Sequence, residues 1–322
     1  MDNKTIYKKT LTFSLRRFAW NVGSIIVIGI LAGLGFWAAE TLSNNGLTGF
    51  AIGLMIGIVL VAIASHFISY IFKAGQIAMM TKGVSEGTLP NDVYGEGKKV
   101  VKERFLTVAA YYATTSVIKG IFSQLGNAIT SAGQAIGGNK GGAVGSTISS
   151  AIQTVVRYLC DCCLGWVFYR RDKSAAKATL EGAVLFFKHG KTLAKNLGRV
   201  FGIALLSFVT IGGVFFGISY LVSLAFPDVF DTVVATIAED ATEVNSSTEF
   251  LSNPQNLQLV FSAIIGVIMW GILHSVFVRP FILVGVLRNY IESGKNENIT
   301  EADFDELDSK SVKFKKLHTE AQ

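Results

Sequence analysis

Ser146, Ser150, Gln153, Thr154, Arg157 and Asp161 recur at steps of three and four residues. That spacing gathers side chains on one face of a helix. The stretch that carries them, about residues 146–169, is otherwise apolar. An ionisable side chain in such surroundings is costly and faces a bundle interior or a water-filled cavity. Arg157 and Asp161 are i, i+4 neighbours, and a mutual ion pair would lower the cost of burying both. The chemistry open to this face is passage of a polar or ionic solute, with Gln153, Arg157 and Asp161 lining the path. The competing reading is a buried pair that fixes helix packing.

A second group lies in the stretch 257–287, which holds His274, Arg279 and Pro280. Proline removes an intrahelical hydrogen bond and predicts a kink, with Arg279 at the break and the two acting as a gate. His274 lies one to two turns deeper, as a proton-linked group or as a hydrogen-bonded packing histidine. Tyr111, Tyr112, Tyr158 and Trp270 sit deep enough in apolar runs to supply an aromatic cage for an organic cation. Cys160, Cys162 and Cys163 cluster without a His partner set. Packing is the expected role there, ahead of a soft metal or palmitoylation. No Walker loop, HExxH or GxSxG is present, so the chain is not read as an enzyme, and no cofactor or metal site is expected.

Six apolar stretches must position these residues: about 19–39, 50–72, 105–125, 146–169, 200–226 and 257–287. Half of all residues are hydrophobic and 16% are charged. A soluble domain carries nearer a quarter charged residues. Each stretch approaches the roughly 20 residues that span hydrocarbon as a helix. Of the 29 basic residues, 25 fall in the N-terminal segment, the second and fourth connections and the C-terminal segment. Basic segments stay cytoplasmic. The expected fold is therefore an all-α, polytopic membrane helix bundle of about six transmembrane helices. They form three hairpins joined by amphipathic cytoplasmic helices, with both termini inside the cell membrane. The net charge of +6 is a topology signal, and no nucleic-acid partner is expected. The first apolar run is too long for a typical signal peptide and is read as a retained span. Residues 1–291 read as the transmembrane domain and 292–322 as a charged cytoplasmic tail.

In 175–200, Ala178, Leu180, Val184, Phe187, Leu193 and Leu197 recur at near-helical spacing, predicting an amphipathic helix on the membrane surface. Pro90, followed by Asn91-Asp92, predicts a turn. Residues 126–145 are glycine-rich, and 227–255 are acidic without a base. Gly29-xxx-Gly33, Gly53-xxx-Gly57 and Gly213-xxx-Gly217 predict close helix contacts within the bundle, or a homo-oligomer through the same faces. His66 and Lys73 read as interfacial or snorkelling residues.

Three segments carry a family resemblance. They are HFISYIFKAG through Leu89-Pro90-Asn91-Asp92-Val93 to KKVVKERFLTVAA, the run Tyr158 to Trp166 followed by Lys195-Asn196-Leu-Gly-Arg199-Val200, and FVRPFILVGVLRNYIESGKNE. In order and local character they resemble the choline-transporter-like family over roughly residues 50–320. The resemblance implies a transporter bundle. That family has about ten spans and a large first outer loop, which this chain lacks, and choline as substrate does not follow. The leading functional expectation is a facilitator or secondary transporter of a small polar or cationic solute. The alternative is a non-transporting membrane scaffold that binds lipids or partner proteins through its basic cytoplasmic helices.

Overall fold

In the computed structural model, the backbone is described for residues 1–106, 108–137, 142–240, 250 and 253–322. Side chains are described for these except 69, 108, 125–155, 190–199, 201 and 236–240. The described residues form helices and turns, with no strand among them.

Helix α1 (Asn3–Ser43) begins where the Asp2 side chain accepts from the Thr5 N–H. It ends at Asn44, the one non-glycine residue with positive φ among those described (53°), whose N–H closes onto Ala39 and Glu40 carbonyls. Asn45 then caps α2 (Gly46–Ser85) through the Thr48 N–H, and Glu40 Oε2 accepts from the Gly46 N–H at 2.8 Å. A two-residue connection fixed at both ends makes an antiparallel hairpin.

The lengths of these helices decide how they are used. At 41 and 40 residues each runs for about 60 Å, roughly twice the hydrocarbon thickness of a bilayer. The surplus is visible in their exposure. From Leu15 to Leu42 and from Leu47 to Phe67 the large apolar side chains are turned outward. Ile6 and Phe13, and most residues from Ala74 to Val84, are buried. One half of each helix therefore turns its apolar side chains outward, and the other half belongs to a protein core.

That core is completed by α3 (Val93–Arg104), α4 (Val108–Gly137), α5 (Gly142–Tyr169) and α6 (Ala175–Ser207), then α10 (Arg279–Lys295), α11 (Glu301–Lys310) and α12 (Val312–Ala321). Asp92, two residues after Pro90, caps α3 through the Gly95 N–H. In α5 the buried run from Asp161 to Phe168 is continuous, because protein covers it on all sides. Gly294 allows this: a Cβ there would come within 2.7 Å of the Trp166 ring. Residues 1–198 and 280–322 form one compact unit and 199–279 a second.

The second unit contains the end of α6, a π turn (Phe208–Gly212), α7 (Gly213–Leu224), α8 (Pro227–Asp240), α9 (Pro254–Leu273) and a second π turn (His274–Val278). Gly212 packs beside Gly266, so α7 and α9 approach closely there. Across this contact, α9 buries Gln258, Ser262 and Gly266 at four-residue steps and exposes Leu259, Phe261 and Ile264.

Four helical stretches are long and apolar enough to cross a membrane: Asn3–Ser43, Gly46–Ser85, Gly202–Leu224 and Pro254–Lys295. A fifth is reached if Val93–Arg104 and Ala109–Gln124, bent by 81°, count as one span. Six are not found among the described residues. The difference lies in the stretches 105–125 and 146–169. Their described parts bury Phe105, Tyr111, Ile118, Phe122, Tyr158, Leu159 and the run Asp161–Phe168 against other helices rather than turning them outward.

Two further expectations change. The apolar face of α6 meets protein: Ala178, Leu180 and Val184 are buried, and Phe187 is covered by Lys310 at 3.7 Å. Leu193 and Leu197 lie outside the described side chains. Residues 292–322 are folded onto the first unit, with Leu307 1% and Phe314 0% exposed. The Ser311 hydroxyl donates to Gln124 Oε1 on α4 at 2.6 Å. Their charges misled because they form pairs with α6: Lys188 meets Glu297 at 2.9 Å and Asp303 at 3.1 Å.

Candidate functional site

The glycine motifs divide by environment. A Cβ on Gly53 would overlap the Leu31 carbonyl oxygen, and one on Gly49 would overlap that of Gly35. One on Gly57 would sit 3.1 Å from Ile28 Cα. Gly53 and Gly57 thus serve the α1–α2 contact as expected. Gly29, Gly33, Gly213 and Gly217 would meet nothing within 4 Å. The spacing that made them a motif repeats on outward faces, and Gly35, Gly49, Gly212 and Gly266 do the packing instead.

Asp161 is 3% exposed, and its Oδ1 lies 2.7 Å from Lys73 Nζ of α2. Burial of a carboxylate needs such a partner. Lys73 is the residue the sequence left as merely interfacial. A lone cation at the junction of an apolar run and a polar connection was the available signal. Arg157 is exposed, one turn before Asp161, and both residues make further contacts. Gln153 lies outside the described side chains, as do Ser146, Ser150 and Thr154.

Around this pair stands an aromatic lattice. Tyr111 is 4% exposed and packs on Tyr70 (5.0 Å between centroids), Phe105 (5.5 Å) and Tyr112 (5.0 Å). Tyr70 donates to the Phe105 carbonyl at 3.0 Å. Tyr112 stacks on His66 at 3.5 Å and donates to its carbonyl. Tyr158 is buried. Of the expected aromatic set, Tyr111 and Tyr112 touch each other. They contact neighbouring rings edge-on, tilted or stacked.

A second buried carboxylate, Glu181, was missed by sequence reading. It is 6% exposed and receives Arg170 at 3.1 Å, Lys173, and the Trp166 indole N–H at 3.4 Å. Arg170 also binds Asp172 through two hydrogen bonds, at 2.9 and 2.8 Å, and holds that carboxyl at about 2, well below its usual value. Arg104 donates to the carbonyls of Arg170 (3.2 Å) and Lys173 (2.7 Å), tying α3 to the end of α5. Cys162 and Cys163 are buried, and Cys163 lies 3.6 Å from the Thr179 carbonyl.

In the second unit His274 and Trp270 converge on Ser207. The Ser207 hydroxyl donates to the Ala204 carbonyl at 2.7 Å. It accepts the Trp270 indole N–H at 3.1 Å and lies 2.9 Å from His274 Nδ1. With the hydroxyl proton committed to Ala204, satisfaction of the network assigns the proton of a neutral His274 to Nδ1. The serine was missed because isolated serines are common in apolar runs. Arg279 and Pro280 begin α10. Pro280 has no N–H to offer the preceding turn, and that turn is the π segment, in which the Arg279 N–H reaches back to the His274 carbonyl. The wider turn accommodates the proline.

No protein-family model, no curated protein and no solved structure matches this chain.

Proposed function

We propose that this chain is an integral membrane scaffold. In this reading two apolar hairpins hold a folded, basic helical domain against the inner face of the cell membrane, and that domain recruits lipid or partner proteins. The observation that carries the reading is the division of α1 and α2 into an outward apolar half and a half buried in a protein core. A membrane anchor needs the first half, and a domain rigidly held at the surface needs the second. The charges support the same arrangement. Arg104, Arg170, Lys173, Lys188 and Arg288 all belong to the first unit's core or its rim. A hairpin returns the chain to the side it left, so in this reading, with four spans forming two hairpins, both termini stand on the basic, cytoplasmic side. The buried charges read as architecture, since Asp161 and Glu181 each have cationic partners.

A second reading is solute passage, to which the choline-transporter-like resemblance also belongs. It is favoured by one arrangement, the hydrogen-bonded Ser207–Trp270–His274 cluster inside an apolar hairpin. Uptake into proteoliposomes separates the two. The scaffold reading expects no saturable flux of quaternary amines, amino acids or inorganic ions. Saturable flux that disappears in a folded Asp161→Asn or His274→Ala protein would replace it with the transporter reading.

A further inference from the structure

Arg16 and Arg17 of α1, Lys73 of α2 and Arg157 of α5 fall near one height, where the outward apolar halves end. The register of the hairpin sets this height. The Trp20 indole N–H donates to Ser65 Oγ at 2.9 Å, and Gln76 Nε2 donates to Ser14 Oγ at 2.9 Å. Arg16 and Arg17 lie between those two rungs on α1, and Lys73 lies between them on α2. Arg16 is exposed and stacks its guanidinium over Tyr94 at 3.9 Å. Helix α5 joins α2 at Lys73–Asp161 and again where Thr81 donates to the Gly165 carbonyl at 3.4 Å. It therefore runs toward the core in the same sense as α2, and Arg157 stands one turn on the apolar side of Asp161. Trp20 and the His66–Tyr112 stack flank the group, as amphipathic rings do at a headgroup layer.

Four cations, Arg16, Arg17, Lys73 and Arg157, thus share a level with the buried carboxylate Asp161, which Lys73 contacts directly. At a bilayer surface an excess of positive charge with aromatic neighbours fits a negatively charged headgroup, and arginine suits its phosphate oxygens. We infer that this belt is a binding site for the phosphodiester headgroup of an anionic phospholipid, with Arg17 and Arg157 as its outer contacts and Lys73 poised by Asp161. The inference rests on the anchored-domain reading for its membrane height. That reading is tested separately by sidedness, so the two can fail independently.

The test is binding of pyrene-labelled phosphatidylglycerol and phosphatidylcholine to the full chain in detergent micelles, followed by energy transfer from tryptophan. Wild type should prefer the anionic lipid. Arg17→Gln with Arg157→Gln should weaken that preference about fivefold per cation removed. Asp161→Asn, which removes the carboxylate paired with Lys73, should strengthen it, whereas a purely structural pair gives no gain. If the double variant is unfolded by circular dichroism, the sign of the Asp161→Asn change decides. No preference in wild type, an unchanged preference in the folded double variant, or a loss in folded Asp161→Asn would overturn the site. Displacement by inorganic phosphate, but not by chloride at equal ionic strength, would overturn the lipid as its occupant.

Discussion

Alanine substitutions at Gly29, Gly33, Gly53 and Gly57 test how the anchoring hairpin is held. All four glycines belong to GxxxG pairs, so the sequence motif treats them alike. The structure does not. At Gly53 the new methyl would overlap the Leu31 backbone oxygen, which belongs to a helix and has no rotamer to give. Relief to an ordinary C···O separation of about 3.3 Å moves α2 off α1 by roughly 1 Å over several turns. Overpacking of this kind costs about 1–3 kcal/mol, occasionally more. The methyl itself returns up to about 1 kcal/mol of helix propensity. At Gly57 the nearest atom is Ile28 Cα at 3.1 Å, so a shift of a few tenths of an ångström suffices and the two effects nearly cancel. At Gly29 and Gly33 only the propensity gain remains. The expected order of stability is Gly33→Ala and Gly29→Ala at or above wild type, Gly57→Ala near it, and Gly53→Ala lower by about 1–2 kcal/mol. Unfolding in graded SDS–detergent mixtures, followed by circular dichroism, measures this order. Equal losses at Gly33 and Gly53 would refute the assigned faces and with them the hairpin register.

Three further outcomes follow from the same contacts. Phe314 is fully buried, so Phe314→Ala should cost about 3–5 kcal/mol. That cost should release α11 and α12 and open Ser311 to protease, and unchanged proteolysis would count against the docked C-terminal helices. Ser207→Ala removes the acceptor of the Trp270 indole N–H and the partner of His274. It should cost about 0.6–1.7 kcal/mol and shift Trp270 emission, which an unchanged spectrum would contradict. Hydrogen bonds from Lys188 lower the carboxyl of Glu297, and backbone and Lys188 hydrogen bonds lower that of Asp303. Their contribution is complete above the ordinary values of 4.5 and 3.8 and is lost as pH falls through the lowered folded values. Hydrogen exchange in α11 should therefore speed up, beyond the intrinsic pH effect, as the medium is acidified below pH 4.5, and Lys188→Met should reduce the difference without abolishing it, since the Thr300 hydrogen bonds to Asp303 remain.

The helical content, the apolar runs and the turn at Pro90 were legible because period, length and proline chemistry are local properties. The protein core below the membrane halves was not. Residues such as Val167 and Phe168 are apolar whether lipid or protein covers them, so hydropathy alone does not separate a buried core helix from a span. Partner identity was hidden for a related reason. The i, i+4 spacing pointed to Arg157 beside Asp161; the 2.7 Å contact to Lys73 was not legible, because it depends on how α5 crosses α2, which sequence spacing does not encode. The amphipathic period of α6 was read correctly and its cover was not, because Tyr290, donating to the Gly182 carbonyl, arrives from more than a hundred residues away.

The most direct test of the anchored scaffold is sidedness. In a background with Cys160, Cys162 and Cys163 replaced by serine or alanine, single cysteines at Asn45 and at Asp172 would be labelled with a membrane-impermeant maleimide in intact cells and after permeabilisation. The account predicts that Asn45→Cys reacts in intact cells and that Asp172→Cys reacts only once the membrane is opened. Labelling of both positions from the same side would contradict a hairpin that crosses the bilayer and a domain held on its inner face.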